Sequence, residues 1–293
     1  MGRVSAGHLA YRPGGVYNLP MTKAPESHNW SFTSRRRLFA GLVLLLTALA
    51  LLAWLQPTFL LDAADLVGYG VCHQIAARSF HLHDRATPLC ARCTGTFSGA
   101  LLGFIVLFVR RRERCRDLPA RPVLIVLASF LLFWGIDGLN SYLTLFPGAP
   151  HLYEPHNLLR LSAGLLNGLA LSHLIYPVFS LTLWAETIPG RSLQNLTELA
   201  LPVGLAGAVV LAIWSNWTAL IYLASLFSTL GVLCLLLVVN GIIAVIALRR
   251  ESRARTWKDT IFPMGVALAA SLAEIALLNG VRGYLTHTFG LPF

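Results

Sequence analysis

Three of the five cysteines fall close together in one polar stretch: Cys72-His73-Gln74, then Arg78-Ser79-Phe80-His81-Leu82-His83, then Pro88-Leu89-Cys90-Ala91-Arg92-Cys93-Thr94-Gly95. Thiols and imidazoles at this spacing support three chemistries. Cys72, Cys90 and Cys93 with one of His73, His81 or His83 make a closed Cys3His set for zinc, whereas three protein ligands alone leave a position at which the metal activates water. Cys90 and Cys93 form a Cys-x-x-Cys pair suited to thiol exchange, and a plain disulfide from Cys72 to either is the third chemistry in an oxidising compartment. Thr87 and Pro88 read as the N-cap and first residue of a helix, which would place Cys90 and Cys93 on one face of its opening turns and lower their thiol pKa values. His151 and His156, further along, are candidates to complete a metal site; Ser79 has no base and orienter at a spacing that would make a triad. Cys115 and Cys234 read as a solvent-side thiol and a small buried hydrophobe.

The elements that position these residues are membrane spans. Of 293 residues 56% are apolar and 12% charged, against about 25% charged in a soluble domain, and the mean hydropathy is +0.65. Apolar stretches of the roughly 20 residues needed to cross a bilayer recur along the chain. The expected fold is an all-α polytopic transmembrane bundle of about seven spans, six to eight being compatible with the pattern: 38–60, 94–109, 122–139, 158–184, 199–214, 217–248 and 260–285. The run 217–248 is long enough for one tilted span or for a span plus an interfacial segment. Residues 1–34 read as a mobile cytoplasmic tail and 35–290 as a single transmembrane domain.

The net charge of +10 is concentrated in short clusters beside the apolar runs: Arg35-Arg36-Arg37, Arg110 to Arg116, and Arg249 to Lys258. These are topology signals and contacts to anionic lipid, and no nucleic-acid partner is expected. They hold the N-terminus in the cytoplasm and send the Cys/His-rich loop 61–93 and a second, turn-rich loop 140–157 to the extracytoplasmic face of the plasma membrane.

Charged groups inside the spans need partners. Asp137 and Arg160 are expected to meet near the Cys/His loop, and Glu274, Asn279 and Arg282 to point inward from the last span, as helix-to-helix contacts or as a substrate or proton path. Arg78, Arg92 and Arg160 are available to anionic groups. Gly95, Gly99 and Gly103 form a small-residue row matched by Gly164 and Gly168, so spans two to four are expected to pack tightly beneath the two loops.

The Cys-His-Gln, Arg-Ser and Pro-Leu-Cys-Ala-Arg-Cys-Thr-Gly elements, with Asp137-Gly138 and Asn157-x-x-Arg160-x-x-x-Gly164 downstream, resemble a family of bacterial and archaeal membrane proteins known as a domain of unknown function. The resemblance spans about residues 65–170. It implies a multi-pass membrane protein with matched positions at Cys72, His73, Arg78, Ser79, Cys90, Arg92, Cys93, Gly95, Asp137, Asn157 and Arg160, and it brings no activity, substrate or cofactor. Two classes of function remain open. One is a membrane scaffold or complex subunit with a structural zinc or disulfide. The other is a membrane-surface enzyme using zinc or the thiol pair on a lipid, quinone or exported substrate. A transporter using Asp137, Glu274 and Arg282 is a further alternative, disfavoured because no inverted repeat is visible.

Overall fold

The computed structural model describes residues 47–52, 54–146 and 148–289. The expected N-terminal tail and most of the first span lie outside them. All elements below belong to one compact unit that begins at Ala48. They are α1 (Thr58–Val71), a 3-10 turn (Ala76–Arg78), β1 (Ser79–Leu82), β2 (Arg85–Cys90), α2 (Ala91–Val109), β3 (Cys115–Asp117), α3 (Arg121–Leu143), α4 (Asn157–Leu183), β4 (Ile188–Arg191), α5 (Leu196–Trp214), α6 (Thr218–Ala247) and α7 (Trp257–Phe289).

Helices α2 to α7 are long and apolar enough to cross a membrane, and they correspond to the second to seventh expected spans of an all-α polytopic bundle. The run from Trp217 is a single 30-residue helix, about 45 Å at 1.5 Å per residue, so it tilts or protrudes instead of dividing. The first span was expected to continue to residue 60. Instead the chain breaks at Gln56 (φ 42°) and Pro57, and α1 starts at Thr58. With 14 residues, α1 is about 21 Å long, too short to span.

The bundle is organised by a backbone-to-backbone crossing of α2 and α4. A Cβ on Gly95 would collide with the carbonyl of Leu161, on Gly99 with that of Leu165, on Gly164 with that of Arg92, and on Gly168 with that of Thr96. Glycine is required at each because lipid gives no hydrophobic drive to helix association, so close van der Waals packing has to supply it. Helix α6 approaches α2 in the same way, Gly231 lying against the carbonyl of Phe97. α3 packs on the other side of α4, α7 on α6, and α1 against α7 and α6. At one end of the bundle the guanidinium of Arg112 pairs with Glu198, and Trp184 Nε1 donates to the carbonyl of Glu113. The cysteine-rich segment lies at the opposite end of α2 from that arginine cluster.

The expected loop 61–93 contains α1 and a hairpin. β1 and β2 pair antiparallel with Ser79 opposite Cys90 and Leu82 opposite Arg85, and His83 (φ 55°) lies in the tight turn between them. Thr87 and Pro88 therefore belong to a strand, not to a helix start: the helix begins at Ala91 with Cys90 as its N-cap. Proline fits there because a two-stranded edge has positions whose N–H is not needed.

Substituting Gly99 or Gly164 by Leu is expected to destabilise the bundle by at least about 1–3 kcal/mol, the usual cost of overpacking, and to lower its thermal unfolding midpoint in detergent. Gly204→Leu meets open space and is expected to leave the midpoint within error; equal effects at all three positions would contradict the crossing.

A candidate three-cysteine centre beside buried arginines

Cys72 follows the last residue of α1, Cys90 ends β2, and Cys93 sits in the first turn of α2. Their three sulfurs all lie within 4.8 Å of one another. The hairpin brings Cys90 back toward α1, and two further contacts fix it there: Gln74 Nε2 donates to the Pro88 carbonyl at 2.8 Å, and Arg85 pairs with Asp62 and Asp65. Gly68 lets the Pro88 carbonyl touch α1 directly. Leu89, Val232, Val67, Val71, Phe97 and Leu236 surround the sulfurs with hydrocarbon.

Within this apolar setting the sulfurs depend on one another electrostatically. The backbone N–H groups of Cys90 and Gln74 point at Cys72 Sγ, at 3.2 and 3.5 Å. Hydrogen bonds from the Cys72 and Cys93 thiols hold Cys90 well below the ordinary thiol range, and the same bond to Cys90, with burial, pushes Cys72 up to about 11. One thiolate is thus favoured and a second is resisted, the behaviour of crowded like charges. A divalent cation among the sulfurs would remove that resistance.

His73, His81 and His83 are exposed, and none joins the sulfurs in the candidate metal group. His151 bonds Glu154, and His156 caps α4 by accepting from the Leu158 N–H. Cys115 is buried at the other end of the bundle instead of lying on the solvent side, since it opens the short strand β3 paired with β4, and burial raises it to about 11; it and Cys234 within α6 stand apart from the centre.

The expected meeting of Asp137 with Arg160 takes a different form. The fully buried Asp137 is gripped by Arg92, through Nε at 3.0 Å and through Nη2, and accepts the Tyr153 hydroxyl at 2.9 Å. Burial and that carboxylate push the Tyr153 phenol up to about 12. Arg160 instead donates to the Oγ of Ser141, one turn along α3 from Asp137, and to Oδ1 of Asn157 on its own helix, and Arg78 donates to the Ser141 carbonyl. Asn157 in turn donates to the carbonyls of Ala77 and Ser79. Asn140 accepts from the Leu152 N–H and donates to the Tyr153 carbonyl, which holds the loop that carries the phenol; the sequence carries no signal for Asn140, Ser141 or Tyr153, because a serine and an asparagine after an apolar run resemble any helix end.

At the last helix the residues separate. Arg282 donates to the carbonyls of Tyr69, Cys72 and His73 and stacks over the Tyr69 ring, while Asn279 donates to the carbonyl of Leu66. Arg282 serves the open C-terminal end of α1, where carbonyls lack helical partners, while Asn279 bonds a carbonyl one turn earlier. Glu274, two turns earlier, lies on an exposed face of α7 and accepts from Asn240. It is not part of the cysteine site.

Asp137→Ala is expected to cost about 3–5 kcal/mol, the penalty for stranding a buried charge, and Tyr153→Phe about 1 kcal/mol for one hydrogen bond. Thermal unfolding in detergent reads both; an Asp137→Ala midpoint equal to wild type would contradict the role of Asp137 as the anchor of this cluster.

Residues 72–174, which carry the cysteines, the arginines and helices α2 and α3 with most of α4, match the model of a family described as "Predicted membrane protein (DUF2085)". An "uncharacterized protein" of Methanocaldococcus jannaschii is 29% identical over 110 residues, 37% of this chain and 64% of the relative. Another, of Methanothermobacter thermautotrophicus, is 29% identical over 102 residues, 35% of this chain and 81% of the relative. The chain thus spans less than two thirds of the Methanocaldococcus protein. No solved structure matches the chain. Through its cysteine-bearing segment, this chain is similar to a family of predicted membrane proteins and to uncharacterized proteins of two archaea.

Proposed function

We propose that this integral membrane protein holds a zinc ion at Cys72, Cys90 and Cys93, on the extracytoplasmic face, with the fourth position left to a water or substrate. The observation that carries the reading is the convergence of three sulfurs from three separate elements within 4.8 Å. Zinc–sulfur bonds of about 2.3 Å arranged tetrahedrally need sulfurs about 3.8 Å apart, a small adjustment from this arrangement. A disulfide would use two sulfurs and leave the third without a purpose.

Thiolate donors favour zinc among common divalent ions. Three protein ligands with an open position are the pattern of catalytic zinc, in which bound water becomes nucleophilic near neutral pH. The neighbouring arginines suit an anionic substrate, so the reading is of a membrane-surface enzyme rather than a purely structural zinc. The extracytoplasmic side rests on the arginine clusters at the opposite end of α2 and after α6.

A second reading, thiol–disulfide exchange at Cys90 and Cys93, is favoured by the lowered pKa of Cys90, since thiolate character governs such exchange. One measurement separates the two. Metal analysis of detergent-purified protein is expected to give about one zinc per chain, lost in each of Cys72→Ser, Cys90→Ser and Cys93→Ser. Protein free of metal, with one oxidised cysteine pair on thiol counting, would replace the zinc centre by the exchange reading.

A further inference from the structure

Arg78, Arg92 and Arg160 come from the 3-10 turn, α2 and α4 and converge on one face of α3, where Asp137 and Ser141 lie one turn apart. Their protein bonds use only part of each guanidinium. Among the described residues, Nη1 of Arg92, Nη2 of Arg160, and Nε and Nη1 of Arg78 have no protein acceptor, and none of them is among the buried polar atoms sealed off without a partner.

The charge here does not close. Among the described residues three guanidiniums face one carboxylate, that of Asp137, and the Cys90 thiol, whose negative form attracts Arg78 and Arg160, while Tyr153 contributes a neutral hydroxyl, so positive charge is left over. Arg160 is 6% exposed and Asp137 fully buried, and positive charge collected in such a place is costly unless an anion joins it. Burial and the neighbouring Arg92 already weaken the hold of Arg78 on its proton. The cluster also adjoins the cysteines: Ser79 pairs with Cys90 across the hairpin, so Arg78 and Arg92 flank that pair.

We propose that Arg78, Arg92 and Arg160 together bind a phosphate group beside the three-cysteine centre. This deepens the enzyme reading by naming the substrate class, yet the arginines carry it independently of the metal. Phosphate fits better than carboxylate because N–H donors arriving from three elements match three terminal oxygens, whereas a carboxylate offers two. The group reaches the site either on a lipid headgroup or as a free phosphate, and the two sources share the same recognition.

The test is calorimetric titration of full-length protein, purified in detergent and phosphate-free buffer, with inorganic phosphate and with dihexanoyl phosphatidic acid. One equivalent per chain is expected to bind. Affinity for phosphatidic acid about tenfold or more above that for phosphate assigns the site to a lipid headgroup, and equal affinity assigns it to free phosphate. Arg78→Gln and Arg160→Lys are each expected to weaken binding at least about tenfold through loss of charge-assisted bonds. Should Arg160→Lys fail to fold, Arg78→Gln decides, since Arg78 makes a single bond to the Ser141 carbonyl. No binding of either ligand, or binding unchanged in the variants, overturns the proposal. Zinc measured on the same samples separates the two readings: phosphate bound without zinc keeps the arginine site and removes the metal, and zinc without phosphate does the reverse.

Discussion

The backbones of α2 and α4 meet at Gly95, Gly99, Gly164 and Gly168, where a methyl group on any of the four would strike a carbonyl of the other helix. This contact governs the cysteine end of the molecule because both helices begin there. Cys90, Arg92 and Cys93 enter at the start of α2, and Arg160 at the start of α4. With the two backbones touching, side chains of the first turns have little room to diverge, and the guanidiniums are driven toward the same face of α3. Asp137 meets them there, fully buried and bound to Arg92.

The third sulfur arrives by a separate route. Cys72 follows a short helix that cannot cross the membrane, and that helix is held from outside the α2–α4 pair. Arg282 of α7 bonds carbonyls at its end and Asn279 one a turn earlier, while the hairpin closes over it through Gln74 and Arg85. The last span therefore contributes to the centre by fixing the backbone that carries Cys72, although none of its side chains joins the sulfurs. Polar residues deep in a membrane protein are often read as a transport path. Here Arg282 is committed to helix-end carbonyls, and Glu274 lies two turns away on an exposed face.

Much of the architecture was legible because hydropathy and arginine clusters act over whole segments: among the described residues, six helices long and apolar enough to cross a membrane occur close to where apolar length and flanking charge put them. The small-residue rows were legible for the same reason, as a glycine every fourth position is a pattern of one face. Short-range detail was not. Thr87-Pro88 has the form of a helix start, but pairing of Ser79 with Cys90 takes that stretch into a strand, a non-local contact no local motif encodes. The candidate ligands divided similarly. Cys72, Cys90 and Cys93 come together, while His73, His81 and His83 are exposed, His83 in a tight turn whose backbone has a positive φ. The roles of Ser141 and Tyr153 depend on how α3 and the following loop face Arg78, Arg92 and Arg160, which spacing along the chain does not express.

The most direct test of the account is X-ray absorption at the zinc edge on metal-loaded protein in detergent. Three sulfurs at about 2.3 Å with a single nitrogen or oxygen neighbour are predicted, the light atom being replaceable by added ligand. A shell without sulfur, or with fewer than three, would contradict the claim that Cys72, Cys90 and Cys93 form one metal centre.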